Sequence, residues 1–193
     1  MIVSMINNKP NFYFVANNLA IDFVNTTIQK HLAAYELINN PTEFLFWAAD
    51  AGAKLQANQP AFEMQSIYHL RQALKALFEA KIQGINFPDQ ALVTLNQHLI
   101  DAPVQQKLLQ VGQEVSLQPV NSELTISKFL GEIAHQAAKI LISAHKQPIK
   151  SCASEKCILM FLDTSRSKKR RWCSMDLCGN RSKAAAFYQA AKP

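Results

Sequence analysis

Cysteine is absent from the first 151 of 193 residues, glycine occurs only five times, and no apolar run is long enough to cross a bilayer. Each absence removes a class of protein. There is no glycine-rich phosphate loop, no G-x-S-x-G elbow and no H-E-x-x-H pair, so the common signatures of nucleotide-binding, serine-hydrolase and zinc-protease sites are missing. The longest uncharged apolar stretch, around Phe44 to Ala49, falls well short of the roughly 20 residues a membrane helix needs. Met1 to Pro10 lacks the basic start and apolar run of a secretory signal. The expected location is the cytoplasm, with reduced thiols and no membrane partner. Histidines 31, 69, 98, 135 and 145 are scattered, and none follows His145. A finger-type nuclease needs histidines to hold a catalytic cation, so no catalytic residue is assigned and an enzyme is not expected.

What is present is concentrated at the C-terminal end. Cys152-x4-Cys157 and Cys173-x4-Cys178 hold all the cysteine of the chain in two matched pairs. Thiolates are soft ligands, and four of them close the tetrahedral sphere of Zn2+, leaving no position for a substrate water. The expected cofactor is one structural zinc. Two disulfides are the alternative for an exported protein, and the missing signal argues against them.

Charge follows the same division. Residues 146–193 carry eleven Lys/Arg and three acids, a net +8, whereas the remainder carries nine bases and eleven acids. Even a metal centre with four thiolates, itself −2, leaves the tail strongly cationic.

With 49% hydrophobic residues the chain can build a real core. The predicted fold is mainly α (α+β): a helical domain over residues 1–145 with a small hairpin, then a treble-clef-like zinc finger over 146–193. Leu19, Phe23 and Val24 can share one helical face after an extended opening at Phe12 to Val15. Asn40-Pro41-Thr42-Glu43 reads as a helix start, with Asn40 as N-cap, Pro41 in the first turn and Glu43 in the capping-box position. Phe44, Trp47, Ala48, Ala51 and Leu55 form its buried stripe. From Pro60 to Lys81, Met64, Ile67, Leu70, Leu74, Leu77 and Phe78 recur at helical spacing, and Gly84 suits the terminus. Pro88-Asp89 opens a further helix through Leu92, Leu95 and Leu99 that Pro103 ends. Leu109, Val111, Val115 and Leu117 alternate around Gly112 as a hairpin. Asn121 or Ser122 is placed to cap a long helix from Ile126 to Leu141.

In the finger, Ile158 to Leu162 reads as a strand, Asp163-Thr164-Ser165 as a turn and Arg170-Arg171-Trp172 as the returning strand, with Phe161 and Trp172 as a small core. Ser174 is the expected N-cap of a last helix, and Gly179 lets the chain pass close to the metal. Amides at the knuckles are expected to donate to sulfur. Some 40 residues bury too little apolar area to fold alone, whereas a structural zinc contributes roughly 10–16 kcal/mol.

Arg166, Lys168, Lys169, Arg170 and Arg171 crowd the predicted hairpin, and Asn180, Arg181 and Lys183 follow on the helix. A basic run on a rigid finger points to nucleic acid, with loop cations on phosphate and the helix near base edges. Arg170 or Arg171 pairing with Asp163 to brace the hairpin is compatible with that use.

The run Cys173-Ser174-Met175-Asp176-Leu177-Cys178-Gly179-Asn180-Arg181-Ser182-Lys183, with Phe161-Leu162-Asp163-Thr164-Ser165 and Arg170-Arg171-Trp172 before it, resembles the CGNR zinc-finger family of bacterial proteins. Leu19 to Thr26 resembles the opening of the helical ABATE domain that precedes the finger there, and Leu70 to Leu74 and Leu95-Asn96 extend the likeness. The resemblance implies zinc on the four cysteines and a stress-induced regulator of transcription that binds DNA. One departure weakens the DNA contact: relatives often carry several arginines on the last helix, where this chain has Ala184-Ala185-Ala186 followed by Phe187.

Asp22 and Asn25 lie three residues apart and could line a pocket for a small-molecule effector, or cap and bridge neighbouring helices. The helical domain is expected to sense such an effector or to form a homodimer. The alternatives are a finger that binds RNA or an acidic protein, and an uncharacterised enzyme with a pocket at Asp22 and Asn25.

Overall fold

The computed structural model describes residues 9–30, 33–56, 62–101, 106–119, 124–143 and 147–190. Among them the chain forms α1 (Leu19–Val24), β1 (Thr27–Lys30), β2 (Ala33–Glu36), α2 (Pro41–Asp50), α3 (Met64–Gln83), α4 (Asp89–Asp101), β3 (Gln106–Val111), β4 (Glu114–Pro119), α5 (Ile126–Ser143), β5 (Ile149–Ser151), β6 (Met160–Leu162), a π-helical turn (Met175–Gly179) and α6 (Asn180–Ala190). All three sheets are two-stranded antiparallel hairpins.

Local chemistry accounts for most boundaries. Asn18 accepts from the amides of Ala20 and Ile21 and starts α1. Asn40 accepts from Glu43 N at 3.0 Å, while the Glu43 carboxylate turns back to the Asn39 amide at 2.6 Å, a capping box displaced by one residue. Leu55 lies beyond α2, where it bridges to Leu124 instead of extending the helical stripe. Gly84 closes α3 with φ +69°, a conformation cheap only without a Cβ. At α5 the cap is Thr125, whose hydroxyl accepts from Lys128 N at 3.3 Å. The expected caps Asn121 and Ser122, the helix start at Pro60, the stop at Pro103 and the boundary at residues 145 and 146 all lie outside the described residues.

Helices α3 and α5 form the centre, with α1 against both and α4 on their flank. Trp47 is the aromatic hub, 5.2 Å from Phe23 and 5.8 Å from Phe129 between ring centroids. The hairpin β3–β4 forms as expected around Gly112, at φ +62°. Its Leu108, Val111, Val115 and Leu117 are exposed. The hairpin β1–β2 was not expected, because its four-residue strands are half-buried at most and carry no clean alternation. Arg71, buried on α3, pins it by an ion pair to Glu36 and a 2.8 Å bond to the Thr26 hydroxyl.

The finger departs from expectation in one respect. Strand β6 pairs with β5, upstream of the first cysteine, in the register Ile149↔Leu162, Lys150↔Phe161 and Ser151↔Met160. Arg170 to Trp172 form no strand, because side chains occupy their carbonyls: Lys150 Nζ reaches Arg170 O at 3.4 Å and Arg170 Nε reaches Trp172 O at 3.0 Å. Among the described residues, only Arg171 O of the three keeps a backbone partner, Ala153 N at 2.8 Å.

Finger and helical domain share one continuous core that runs from Trp47 and Leu74 through Ile149 and Phe161 to the cysteines. The free edge of β6 is covered by the helical domain. Asn25 Nδ2 donates to Met160 O at 2.8 Å and Asn25 Oδ1 accepts from Met160 N at 2.9 Å, while Leu162 N donates to Ala16 O at 2.9 Å. One side-chain amide thus stands in for a strand neighbour. Asn25→Ala would strand two buried backbone groups, each costing about 1–3 kcal/mol. Its chemical-denaturation midpoint should fall by an amount equivalent to about 2–6 kcal/mol; an unchanged midpoint would show that Met160 finds other partners.

Candidate metal centre

The four thiols converge. Cys152 ends the β5 arm, its amide bonded to Leu159 O at 2.9 Å, and Cys157 N bonds Ser154 O at 3.0 Å to close the first knuckle. Ser174 then accepts from Asp176 N and Leu177 N as N-cap, and its carbonyl receives the amides of Cys178 and Gly179 at 3.1 and 3.0 Å. The resulting π-helical turn swings Cys178 back toward Cys173. A Cβ on Gly179 would lie 2.6 Å from Met175 Sδ, the movable end of a flexible side chain, so glycine is only softly required there.

All four sulfurs lie within 4.8 Å of one another. The separations of 3.8 Å for Cys157–Cys173 and 3.7 Å for Cys173–Cys178 match the edge of a tetrahedron with zinc–sulfur bonds of about 2.3 Å. Amide donors also point at sulfur, as expected: Cys173 N to Cys152 Sγ at 3.4 Å, and the Leu159 amide to Cys157. Arg181 donates to Cys178 Sγ at 3.5 Å and to the Leu177 carbonyl. A hydrogen bond from Cys173 lowers the pKa of Cys157, and that bond, burial and the charged neighbours raise Cys173. Burial and the Cys157 charge likewise raise Cys178. Four thiolates are compatible here only with a cation between them, and the donor set fits one structural zinc.

Beside the sulfurs, the basic residues divide by role. Asp163 is fully buried and receives Lys150 Nζ at 2.8 Å, Ser165 Oγ at 2.5 Å and the amides of Ser165 and Arg170. Burial alone would raise its pKa, but these partners hold it down to about 2. The brace on Asp163 is therefore Lys150, with Arg170 contributing only its backbone amide. The Arg170 guanidinium lies over the Phe161 ring at 4.3 Å and donates to Val15 O at 2.9 Å and to Cys173 O, tying finger to helical domain. Lys168 Nζ turns inward to Asp163 O at 3.2 Å. Arg166, Lys169, Arg171, Asn180, Arg181 and Lys183 are exposed, with Arg171 5.1 Å from the Trp172 ring. Lys150, the inward roles of Lys168 and Arg170, and the contact of the exposed Arg181 with Cys178 escaped the sequence reading, since each depends on contacts made only after folding.

Asp22 and Asn25 are both buried. Asn25 clasps β6, and Asp22 Oδ1 accepts from the amides of Val15 and Ala16 at 3.0 Å each, fixing the segment that meets β6 and Arg170.

The geometry defines a protein with a four-cysteine zinc finger docked on a helical domain. A family model of the CGNR zinc finger matches residues 149–191, and that of ABATE, described as a putative stress-induced transcription regulator, matches residues 17–144. The chain belongs to the ABATE family and carries a CGNR finger after the ABATE domain. Comparison with curated proteins gives no match. Among the described residues no helix is long and apolar enough to cross a membrane.

Three measurements follow from the site and its surroundings. Elemental analysis should give one zinc per chain, and Cys178→Ser should lower it and remove hydrogen-exchange protection from the finger. Acidification should release the ion, because protons compete for thiolate. Burial, opposed by the Val15 and Ala16 amides and by Arg170, raises Asp22 to about 6 from 3.8. A carboxyl raised in the folded state contributes stability below about 3.8 that is lost as pH rises through about 6. Asp22→Asn keeps the accepting oxygen, so it should gain about 1–3 kcal/mol at pH 8 over wild type and little at pH 4. Equal effects at both pH values would refute the shift.

Proposed function

We propose that this protein is a DNA-binding regulator of transcription in the cytoplasm, with the finger gripping the duplex and the helical domain controlling how the finger is held. The observation that carries the reading is the exposed set Arg166, Lys169, Arg171 and Lys183. None of the four takes part in an ion pair among the described residues. Lys150, Lys168 and Arg170 serve folding, so the cations that remain are a separate set available to phosphate. Asn180 opens α6 on the same finger and is the candidate for reading a base edge. The helical domain would act by pairing two copies or by binding an effector, and no catalytic role is assigned.

The inward use of Lys168 and Arg170 leaves fewer phosphate contacts than the sequence alone suggests. Each neutralised phosphate contributes a slope of about −0.9 to log K against log salt. Four contacts give about −3.6, and removal of Arg166, Lys169 and Arg171 together should flatten that slope by two to three units, weaken duplex binding at least tenfold and leave the melting temperature unchanged. Arg170→Ala should do the opposite, lowering the melting temperature first. Binding that ignores salt, or that prefers single-stranded RNA or an acidic protein to competitor duplex, would displace this reading.

A further inference from the structure

A cavity of about 150 Å3 opens where the finger meets the helical domain, lined by Tyr13, Ile28 and Gln29 of the latter and by Lys156, Cys157 and Arg181 among the finger residues. It is open to solvent and has room for several water molecules, so a small polar molecule can enter it. The four sulfurs are not equivalent toward it. Cys157, Cys173 and Cys178 all line it, but Cys152, Cys173 and Cys178 are 8%, 0% and 1% exposed, whereas Cys157 is half-buried, with Lys156 and Arg181 in the same lining. Cys173 Sγ stands 3.8 Å from Cys157 Sγ.

We infer that Cys157 is an oxidation site for hydrogen peroxide or a comparably small hydroperoxide, with Cys173 as the resolving thiol. The Cys157 sulfur attacks one peroxide oxygen; an S–O bond forms, the O–O bond breaks and hydroxide leaves, where Lys156 and Arg181 supply positive charge. The Cys173 sulfur then attacks Cys157; an S–S bond forms, the S–O bond breaks and a second hydroxide leaves. The peroxide gains two electrons and the two sulfurs lose them, so no further reductant or oxidant is required. Cys152 and Cys178 alone provide half of a zinc coordination sphere, and the ion departs. The inference rests on the metal centre and does not depend on DNA binding.

The test treats zinc-loaded full-length protein with increasing hydrogen peroxide, following released zinc with a metallochromic indicator and trapping sulfenic acid for peptide mass mapping. The first adduct should fall on Cys157. A Cys157–Cys173 disulfide should then rise in step with zinc release, and thiol reductant with added zinc should reverse both. Gln29→Trp, which narrows the opening and leaves all four ligands in place, should slow release several-fold at unchanged zinc stoichiometry. A first adduct on Cys152, Cys173 or Cys178, an even spread over the four, a different disulfide, or zinc retained under excess peroxide would each overturn the assignment. The mapping uses the unaltered chain, so a misfolded variant leaves it decisive.

Discussion

Strand β6 is hydrogen-bonded on both edges, and that arrangement is the constraint on which the rest of the molecule depends. On one side it pairs with β5; on the other it meets the Asn25 amide and the Ala16 carbonyl. Three residues, Met160 to Leu162, are thereby buried. Their backbone groups have no access to water, so each must be paired inside the protein. The finger supplies one half of those partners and the helical domain the other. Neither part can move away without exposing or stranding the groups that the other satisfies.

Arg170 strengthens the same junction by a different physical route. A guanidinium offers five donors in a fixed plane, and here that plane lies on Phe161 while its donors take the carbonyls of Val15, Trp172 and Cys173. Orphan carbonyls of a chain segment without secondary structure are thus satisfied by one side chain. The nearby Asp22 carboxyl, held by the Val15 and Ala16 amides, adds an attractive charge. What reads in sequence as the centre of a basic surface is, for Arg170, the bolt of an interdomain contact.

The legible features were those whose cause is local. Asn40 with Glu43 announced α2, Gly84 the end of α3, and Ser174 the turn after Cys173, because a cap needs only its own few residues. The cysteine spacing likewise gave the metal site, since ligand type and pairing set the coordination chemistry without reference to the remainder of the chain. The partner of β6 was not legible. Arg170-Arg171-Trp172 and Ile149-Lys150-Ser151 are equally short, and the choice between them is made by Lys150, which must be on β5 to reach Asp163 and the carbonyls of Lys168 and Arg170. Hairpin β1–β2 escaped for a related reason: its support comes from Arg71, some forty positions away on α3. Periodicity identifies Arg71 only as a polar interruption of an apolar stripe.

Magnitudes decide which part governs the other. A structural zinc contributes roughly 10–16 kcal/mol to the segment that binds it, whereas the buried bonds at the β6 junction are worth a few kcal/mol in sum, at about 1–3 kcal/mol for each stranded group. Loss of the metal removes more free energy than the junction can hold, so the finger's edge of β6 would be given up with it. The converse effect is bounded. Coupling between two sites is reciprocal, so undoing the junction can weaken zinc binding by no more than the junction's own free energy, each ~1.4 kcal/mol of which is tenfold. Against an affinity of that strength the four thiolates would keep their ion. The helical domain can therefore bias the position of the finger without emptying it, and only chemistry at the sulfurs themselves can dismantle it.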